Sequence, residues 1–215
     1  MCAHFESIKD PARLKSRFKV NLPPKANFDV WPTYASTFIR LSQEPSASPG
    51  SEGSAEGISG HFGLIPHWSK DTKISRHTYN ARIETVADKP AFKDAWRLKR
   101  LCIIPAESIF EPDWRSGKAV STKIQRADQE PLGIAGIWTG WRRPDGEIIR
   151  SFSMLTINAD DHLLMKNFHK PDEEKRMVAI LDEQYYSEWL NSKDEGCLKY
   201  ILPYPAEKLV AHAAQ

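Results

Sequence analysis

The second residue of the chain offers the most distinctive chemistry. Cys2 follows the initiator methionine, and because cysteine is small we expect Met1 to be removed. The exposed terminus is then a 1,2-aminothiol whose amine and thiol are both partly nucleophilic near neutral pH. The amine can attack an aldehyde to give an imine, and the thiol can close onto the same carbon to give a thiazolidine. An inert, flexible terminus is the alternative when position alone is considered.

The segment HTYNARIET, residues 77–85, carries polar side chains at alternate positions. Asn80 offers an amide donor and acceptor, Arg82 a guanidinium fork that matches phosphate, and Glu84 a carboxylate. If the segment is extended, these three side chains point to one face. The alternative is an exposed polar strand with an Arg–Glu ion pair.

Two further residues have side chains suited to proton transfer. Glu111 ends an apolar run over 108–110 and precedes Pro112, which predicts a general acid or base with a raised pKa. The alternative is a strand-end charge that faces water. His169 follows a predicted helix over 159–168 and precedes a charged loop. Imidazole can shuttle protons near neutral pH, although a lone loop histidine is commonly a bystander.

Trp68, in IPHWSKD over 65–71, is a candidate for stacking on a nucleobase. Such stacking contributes about 1–3 kcal/mol per base and tolerates any sequence. A core tryptophan is the alternative. Trp138 and Trp141, which flank Gly140, indicate packing in the core instead.

Length and composition indicate one soluble domain over residues 1–215, with two small domains as the alternative. The chain is 40% hydrophobic and 27% charged, and its formal net charge of +2 permits a nucleic-acid partner without requiring one. It has no apolar run long enough for a membrane span and no signal-peptide pattern, so we expect a cytoplasmic protein. The three cysteines lack a CxxC pair, which argues against a disulfide framework and a metal site, and no cofactor is expected.

Hydrophobic periodicity and turn residues predict many short strands and a few helices. Helices are predicted over 11–18 (capped by Asp10), 90–100, 159–168 and 182–190 (capped by Asp182). Strands are predicted over 35–41, 61–65, 101–110, 119–125, 132–139, 150–157 and 177–181. This pattern favours an α+β fold in which a curved, barrel-like antiparallel sheet carries several peripheral helices. Residues 44–60, rich in Ser, Gly and Pro, are interpreted as a long mobile loop within the domain, with a domain linker as the alternative.

Taken in order, several motifs resemble those of the SRAP (SOS-response-associated peptidase) family, whose members shield abasic sites in DNA. The motifs are Met1-Cys2, GLIPHW over 63–68, NARIET over 80–85, the run over 91–111 that ends in CIIPAESIFE, and the block over 169–181 that starts at His169 and ends in RMVAIL. Each motif alone is unspecific, but the ordered set spans nearly the whole chain. The chain is therefore identified as a diverged, bacterial or phage-related member of this family.

The resemblance implies a covalent reaction with abasic sites in single-stranded DNA. Cys2, freed from Met1 by autoproteolysis, would be the nucleophile that forms a thiazolidine crosslink with the sugar aldehyde. Asn80 would orient the cysteine or the opened sugar, Glu111 would handle protons at the amine, and His169 would promote opening of the deoxyribose ring. The protein would then be an autoproteolytic hydrolase (peptidase) with abasic-site crosslinking or lyase-like activity.

The resemblance also implies a basic groove for DNA. Arg82 and Arg176 would hold phosphates, and Trp68 would stack on a base beside the lesion. His4 stands in the DNA-contact position where the family has arginine, because the usual Cys-Gly-Arg start is Cys2-Ala3-His4 here.

Other departures from the family pattern lie close to the expected site. The usual Asn-Val-Ala-Pro segment is Asp29-Val30-Trp31-Pro32, and the aromatic pair before Glu111 is Ile109-Phe110. Pro112 replaces the tryptophan that usually follows the glutamate. The loop KPDEEK over 170–175 is longer and more acidic than usual, and its three carboxylates would repel a phosphate backbone unless they point away.

Two other functions fit the same residues. A cysteine peptidase acting in trans would use Cys2 as a thiolate, His169 as a base and Glu111 as the residue that orients it. A non-covalent module would bind single strands through Trp68 and the arginines, with salt-sensitive affinity. In each DNA-binding case the partner is single-stranded DNA, and we expect a monomer in the cytoplasm that joins the nucleoid during DNA damage.

Overall fold

The computed structural model describes residues 2–42 and 54–214, and within these ranges the chain forms twelve strands and three α-helices. The strands are β1 (His4–Ser7), β2 (Asp29–Val30), β3 (Ala35–Leu41), β4 (Ala55–Phe62), β5 (Asn80–Arg82), β6 (Leu101–Asp113), β7 (Val120–Arg126), β8 (Leu132–Arg142), β9 (Ile148–Asn158), β10 (Arg176–Val178), β11 (Ile180–Leu181) and β12 (Leu209–Ala213). The helices are α1 (Pro11–Phe18), α2 (Lys93–Arg97) and α3 (Tyr186–Asn191). Short 3₁₀ helices cover Lys73–Arg76, Met165–Asn167, Glu183–Tyr185, Glu195–Tyr200 and Ala206–Lys208. The predicted α+β class is confirmed.

Five strands close into a barrel. β3 pairs with β4, β9 with β8, and β6 with both β8 and β3, all antiparallel. The circle is completed by β4 and β9, which are parallel. A parallel pair needs a long crossover, and the chain between these two strands provides it. The barrel-like core is thus confirmed, with a mixed rather than wholly antiparallel sheet, to which the other strands add at the edges.

Phenylalanine rings fill the barrel. The ring centroid of the fully buried Phe152 lies 5.3 Å from that of Phe38 and 5.5 Å from that of Phe62. Phe5 of β1 packs edge-on against Phe62 at 5.2 Å. Burying one such side chain contributes about 1.5–3 kcal/mol, so Phe5 fixes the first strand to the barrel. Cys2 is itself 1% exposed, and the alternative of a free, flexible terminus is therefore wrong for this residue.

The first helix follows the predicted signals closely. The Asp10 side chain accepts a backbone N–H of the first turn of α1 at 2.9 Å, and the helix buries Leu14 and Phe18. It ends at Lys19, whose φ of 60° is left-handed. No helix in the described parts of the chain is long and apolar enough to cross a membrane.

The helix predicted over 159–168 is wrong. The segment forms turns, with only the 3₁₀ helix Met165–Asn167 at its end. The Asn158 side chain accepts the N–H of Asp160 at 2.9 Å, and Nδ1 of His162 accepts two N–H groups that follow it, at 3.2 and 3.0 Å. Such local bonds from side chains compete with the helical hydrogen-bond pattern.

The other predicted helices are shorter than expected. The helix over 90–100 is reduced to α2, although its periodic residues Phe92, Ala95 and Trp96 are buried as predicted. The helix over 182–190 begins with a 3₁₀ turn before α3, and the predicted cap is confirmed because the Asp182 side chain accepts a backbone N–H at 3.2 Å.

The loop predicted over 44–60 is wrong for its second part, and residues 44–53 lie outside the described residues. β4 begins at Ala55 and pairs along its length with β3. The glycines that suggested a loop are needed for close packing, since a Cβ at Gly57 would lie 2.6 Å from the carbonyl oxygen of Asn21. The strand predicted over 61–65 ends at Phe62, because Gly63 has a φ of 114°.

Candidate active site

Two neighbouring strands bring the start of the chain beside Glu111. In the antiparallel pair of β1 and β6, His4 lies opposite Phe110. Cys2 immediately precedes β1, and Glu111 immediately follows Phe110 in β6. Residues far apart in the sequence therefore meet at one end of this strand pair.

An amide fixes the backbone of residue 2. Asn80, the first residue of β5, donates from Nδ2 to the carbonyl oxygen of Cys2 at 2.7 Å, and both residues are buried. The Cys2 thiol donates to the carbonyl oxygen of His4 at 3.4 Å. Oδ1 of Asn80 is buried and accepts no hydrogen bond within residues 2–42 and 54–214. This oxygen is a ready acceptor for a donor on a bound molecule.

A carboxyl and an imidazole form the second half of the site. Nε2 of His169 lies 3.3 Å from Oε2 of Glu111, and their side chains are 6% and 2% exposed. His169 has a left-handed φ of 67° and its N–H donates to the carbonyl oxygen of Pro112 at 3.1 Å. A bridge between Asp113 and Phe168 holds the loop against β6. The backbone thus aims the imidazole at the carboxyl. The alternative of a water-facing Glu111 is wrong.

Burial sets the protonation of this pair. It raises the pKa of Glu111 to about 7 and lowers the pKa of His169 to about 4, because each charged form loses its solvation. Near neutral pH the imidazole is neutral, and Glu111 is poised between its two protonation states. Because the imidazole is neutral, the 3.3 Å approach of Nε2 to Oε2 is a close polar contact rather than an ion pair. A group poised in this way can both accept and donate a proton near pH 7.

The Cys2 thiol stays protonated in this setting. Burial raises its pKa, and the negative charge that Glu111 can carry raises the pKa further. Burial also raises the pKa of Tyr79, and the negative charges that Cys2 and Glu111 can carry raise it further. Tyr79 is a site residue that the sequence interpretation missed, although it directly precedes Asn80.

The arginines predicted to hold phosphate lie in one ion-pair cluster. Arg176 is 2% exposed, and its guanidinium binds Glu84 through two contacts of 2.9 and 2.8 Å and Glu174 through one of 2.8 Å. Arg82 is half-exposed and pairs with Glu174 at 2.7 Å. The predicted extended segment over 77–85 is reduced to β5, and Glu84 lies in the turn that follows. The predicted phosphate-binding roles of Arg82 and Arg176 stay predictions.

The two remaining residues predicted to contact DNA, Trp68 and His4, differ in their exposure. Trp68 is 49% exposed, and its indole N–H donates to the carbonyl oxygen of Pro90 at 3.4 Å, so the alternative of a core tryptophan is wrong. Trp138 and Trp141 are buried, as their packing role requires. His4 is stacked between two rings and bonded to Asp29 rather than free to reach a phosphate. Stacking by Trp68 and DNA contact by His4 stay predictions.

Replacing Asn80 with alanine is expected to lower the free energy of unfolding by about 1–3 kcal/mol, because the buried carbonyl of Cys2 loses its donor. Chemical denaturation measures this loss. Asn27→Ala is a matched control, since its Nδ2 makes an exposed hydrogen bond of 2.9 Å to the carbonyl oxygen of Ala35, which the backbone N–H of Asn27 also binds. Equal stability of the two variants would contradict the anchoring role of Asn80.

Comparison with known proteins identifies the family of the chain. A family model described as SOS response associated peptidase (SRAP) matches residues 1–215. Abasic site processing protein YoqW of Bacillus subtilis is 34% identical over 155 residues, which cover 70% of this chain and 66% of YoqW. Abasic site processing protein HMCES of Mus musculus is 26% identical over 184 residues, which cover 70% of this chain and 50% of HMCES. The chain thus matches less than two thirds of these relatives.

Solved structures agree. A crystal structure of a Bordetella bronchiseptica protein has a TM-score of 0.88 and 41% identity, with 100% of both chains covered. One from Bacteroides thetaiotaomicron has a TM-score of 0.81 at 23% identity, covers 100% of this chain and 92% of its own, and shares the fold.

The family model that matches the whole chain and the barrel fold shared with a solved structure define the class of protein. The chain belongs to the SOS response associated peptidase (SRAP) family, and the resemblance seen in its sequence motifs is confirmed.

Proposed function

We propose that this chain processes abasic sites by forming a thiazolidine crosslink between Cys2 and the aldehyde of an abasic site in single-stranded DNA. One observation carries the proposal: Asn80 anchors the backbone of Cys2 beside Glu111, a carboxyl whose pKa lies near neutrality. The names of YoqW and HMCES, abasic site processing proteins, support the choice of lesion. The chain is expected to act as a monomer in the cytoplasm.

The first step frees the amine of residue 2. Hydrolysis of the Met1–Cys2 peptide bond consumes one water and releases methionine. We propose that the chain carries out this cleavage on itself. The amide held at 2.7 Å by Asn80 is the one that follows this bond, so residue 2 keeps its position when residue 1 leaves.

The crosslink then forms with loss of one water and no redox change. The amine attacks the aldehyde carbon to give a carbinolamine, and expulsion of the hydroxyl as water gives the imine. The thiol sulfur adds to the imine carbon, and the thiol proton ends on the nitrogen. No free thiolate is needed, which suits a Cys2 thiol whose pKa is raised by burial.

Glu111 and His169 supply the proton transfers. Glu111 accepts a proton from the attacking amine and returns it to the leaving hydroxyl, for which a pKa of about 7 is well matched. His169, neutral because its pKa is lowered to about 4, takes the proton of the anomeric hydroxyl as the bond between C1′ and the ring oxygen breaks, and returns it to that oxygen, so that the aldehyde and a free hydroxyl form. The unpaired Oδ1 of Asn80 accepts a bond from a hydroxyl of the opened sugar.

The raised pKa of the thiol argues against a cysteine peptidase acting in trans. Such an enzyme attacks through a thiolate, which is favoured beside a cationic partner. Here Cys2 lies near a carboxyl, and His169 is neutral.

The test is incubation of the purified full-length protein with a single-stranded oligonucleotide that contains one abasic site. We expect a heat-stable adduct whose mass equals the two components minus one water, with Met1 absent. An undamaged oligonucleotide is the control. Salt-sensitive binding without an adduct would overturn the proposal and favour the non-covalent module.

Glu174 is expected to limit DNA affinity. It pairs with Arg82 and Arg176, so Glu174→Gln frees Arg82 for phosphate and is expected to tighten binding to single strands a few-fold at low salt. The matched control is Glu173→Gln, which removes the same charge from the same loop at an exposed residue with no ion pair in the described chain. Fluorescence anisotropy titrations measure the difference. Equal affinities for the two variants would show that the ion pair between Arg82 and Glu174 does not compete with DNA binding.

A further inference from the structure

Three rings stack beside the active site. His4 lies between Trp31 and Phe110, with centroid distances of 4.1 and 4.0 Å and an interplanar angle of 13° on each side. Phe110 is the residue before Glu111, and His4 is two residues after Cys2. Phe110 and His4 are therefore close in the sequence to Glu111 and Cys2, the two residues that would carry out the chemistry.

The outer end of the stack faces solvent. Trp31 is 44% exposed, as expected for an indole with one face covered by His4. The stack is rigid from within, because Asp29 binds Nε2 of His4 at 2.5 Å and pairing of Phe5 with Val30 fixes β2 on β1. A ring held in this way loses little freedom when it binds a ligand.

His4, Trp31 and the Asp29 that binds His4 are positions where the chain departs from the pattern of the family that it resembles. His4 replaces the usual arginine, Asp29 the usual asparagine and Trp31 the usual alanine. Because His4 contacts both of the others, the three replacements form one unit.

We propose that the exposed face of Trp31 binds the nucleobase next to the abasic site, an inference that rests on the proposed crosslinking function. Residues 2 and 4 are about 7 Å apart along an extended strand, roughly twice the 3.4 Å rise between stacked nucleotides, a distance that a single nucleotide step spans where the strand is unstacked, as beside an abasic site. A base adjacent to a sugar held at Cys2 can therefore reach the stack. Each base presents a flat π-face, so recognition by Trp31 is independent of sequence.

A nucleobase fits this surface better than a protein partner does. The surface is a single flat ring backed by two more, whereas protein interfaces bury about 800 Å² on each partner. It also lies next to the residues that would react with DNA, so a bound strand passes it.

The test uses an oligonucleotide with a tetrahydrofuran residue, an abasic analogue without an aldehyde, and 2-aminopurine as the neighbouring base on one side or the other. For the wild-type chain we expect strong quenching of 2-aminopurine fluorescence on one of the two sides. In Trp31→Ala we expect this quenching to be lost and the dissociation constant to rise about 5- to 150-fold. Trp31→Phe keeps a ring and is expected to retain most of the quenching.

Tyr185→Ala, which removes another exposed aromatic ring, is the matched control and should leave both signals unchanged. Circular dichroism checks that the variants are folded. Unchanged quenching and affinity in Trp31→Ala would overturn the inference. Because the analogue cannot crosslink, Trp31-dependent quenching in a protein that forms no adduct with true abasic DNA would overturn only the proposed covalent function.

Discussion

Cys2→Ala is expected to abolish the heat-stable adduct with abasic single-stranded DNA. The variant keeps an amine at residue 2 once Met1 is removed, but it lacks the sulfur that closes the thiazolidine. Asn80 still holds the backbone of residue 2 because its partner is the carbonyl oxygen. Non-covalent affinity should therefore change little. Denaturing gel electrophoresis after heating, paired with anisotropy for binding, separates the two effects.

Two further variants assign the loss to the thiol of residue 2. Cys2→Ser still forms an imine, so borohydride should trap a reduced adduct although no heat-stable adduct forms without it. Cys197→Ala removes another free, buried cysteine and should crosslink like the wild type. A heat-stable adduct that persists in Cys2→Ala would exclude the thiazolidine, and the intact mass of each protein must first establish that Met1 has gone.

Local sequence signals predicted part of the fold well. The cap at Asp10 predicted α1, and the alternating and apolar runs located β3 and most of β6 to β9. The same signals failed at 159–168, where side chains such as His162 take over the backbone bonds of a helix. They failed at β4 as well, since glycine is typical of loops but here permits close packing.

The site depends on contacts that local patterns do not contain. Cys2 meets Glu111 only because β1 pairs with β6, and Asn80 reaches Cys2 only because β5 adds to β9. Strand register over such separations follows from the whole core rather than from neighbouring residues. The ordered family motifs supplied this information, and they favoured a site role for His169 over that of a bystander.

Those motifs could not reveal which of the predicted DNA-binding residues are already bound to other side chains of the protein. Arg176 is as buried as a core residue because two carboxylates hold it. The stack of His4 on Trp31 was hidden too, since each residue looked only like a departure from the family. Replaced residues must be considered together, because three replacements that contact one another make a new surface.

Glu111→Gln is expected to slow adduct formation about 10²- to 10⁴-fold, the usual contribution of a positioned acid or base. The amide cannot take the proton of the amine or return it to the leaving hydroxyl. The wild-type rate should titrate with an apparent pKa of about 7, and the variant should lack this titration. Single-turnover rates between pH 5 and pH 9 measure the rate loss and its pH dependence. Competition with a non-reacting abasic analogue checks that the variant still binds DNA.

The same substitution is expected to stabilise the protein at higher pH. The pKa of Glu111 is raised in the folded state, so its contribution to stability is fully present below its unfolded pKa and is lost as pH rises through about 7. Glutamine does not ionise, and the variant should gain up to about 3 kcal/mol relative to the wild type between pH 4.5 and pH 8. Denaturation at the two pH values measures this change.

Glu107→Gln is the matched control, since Glu107 lies on the same strand but pairs with Arg13 at 3.0 Å near the surface. It should leave both the rate and its pH dependence unchanged. If Glu111→Gln shows neither the rate loss nor the gain in stability, Glu111 is not the acid–base group. A gain in stability with a loss of rate would instead show that the fold keeps a buried carboxyl at the expense of stability because the reaction requires it.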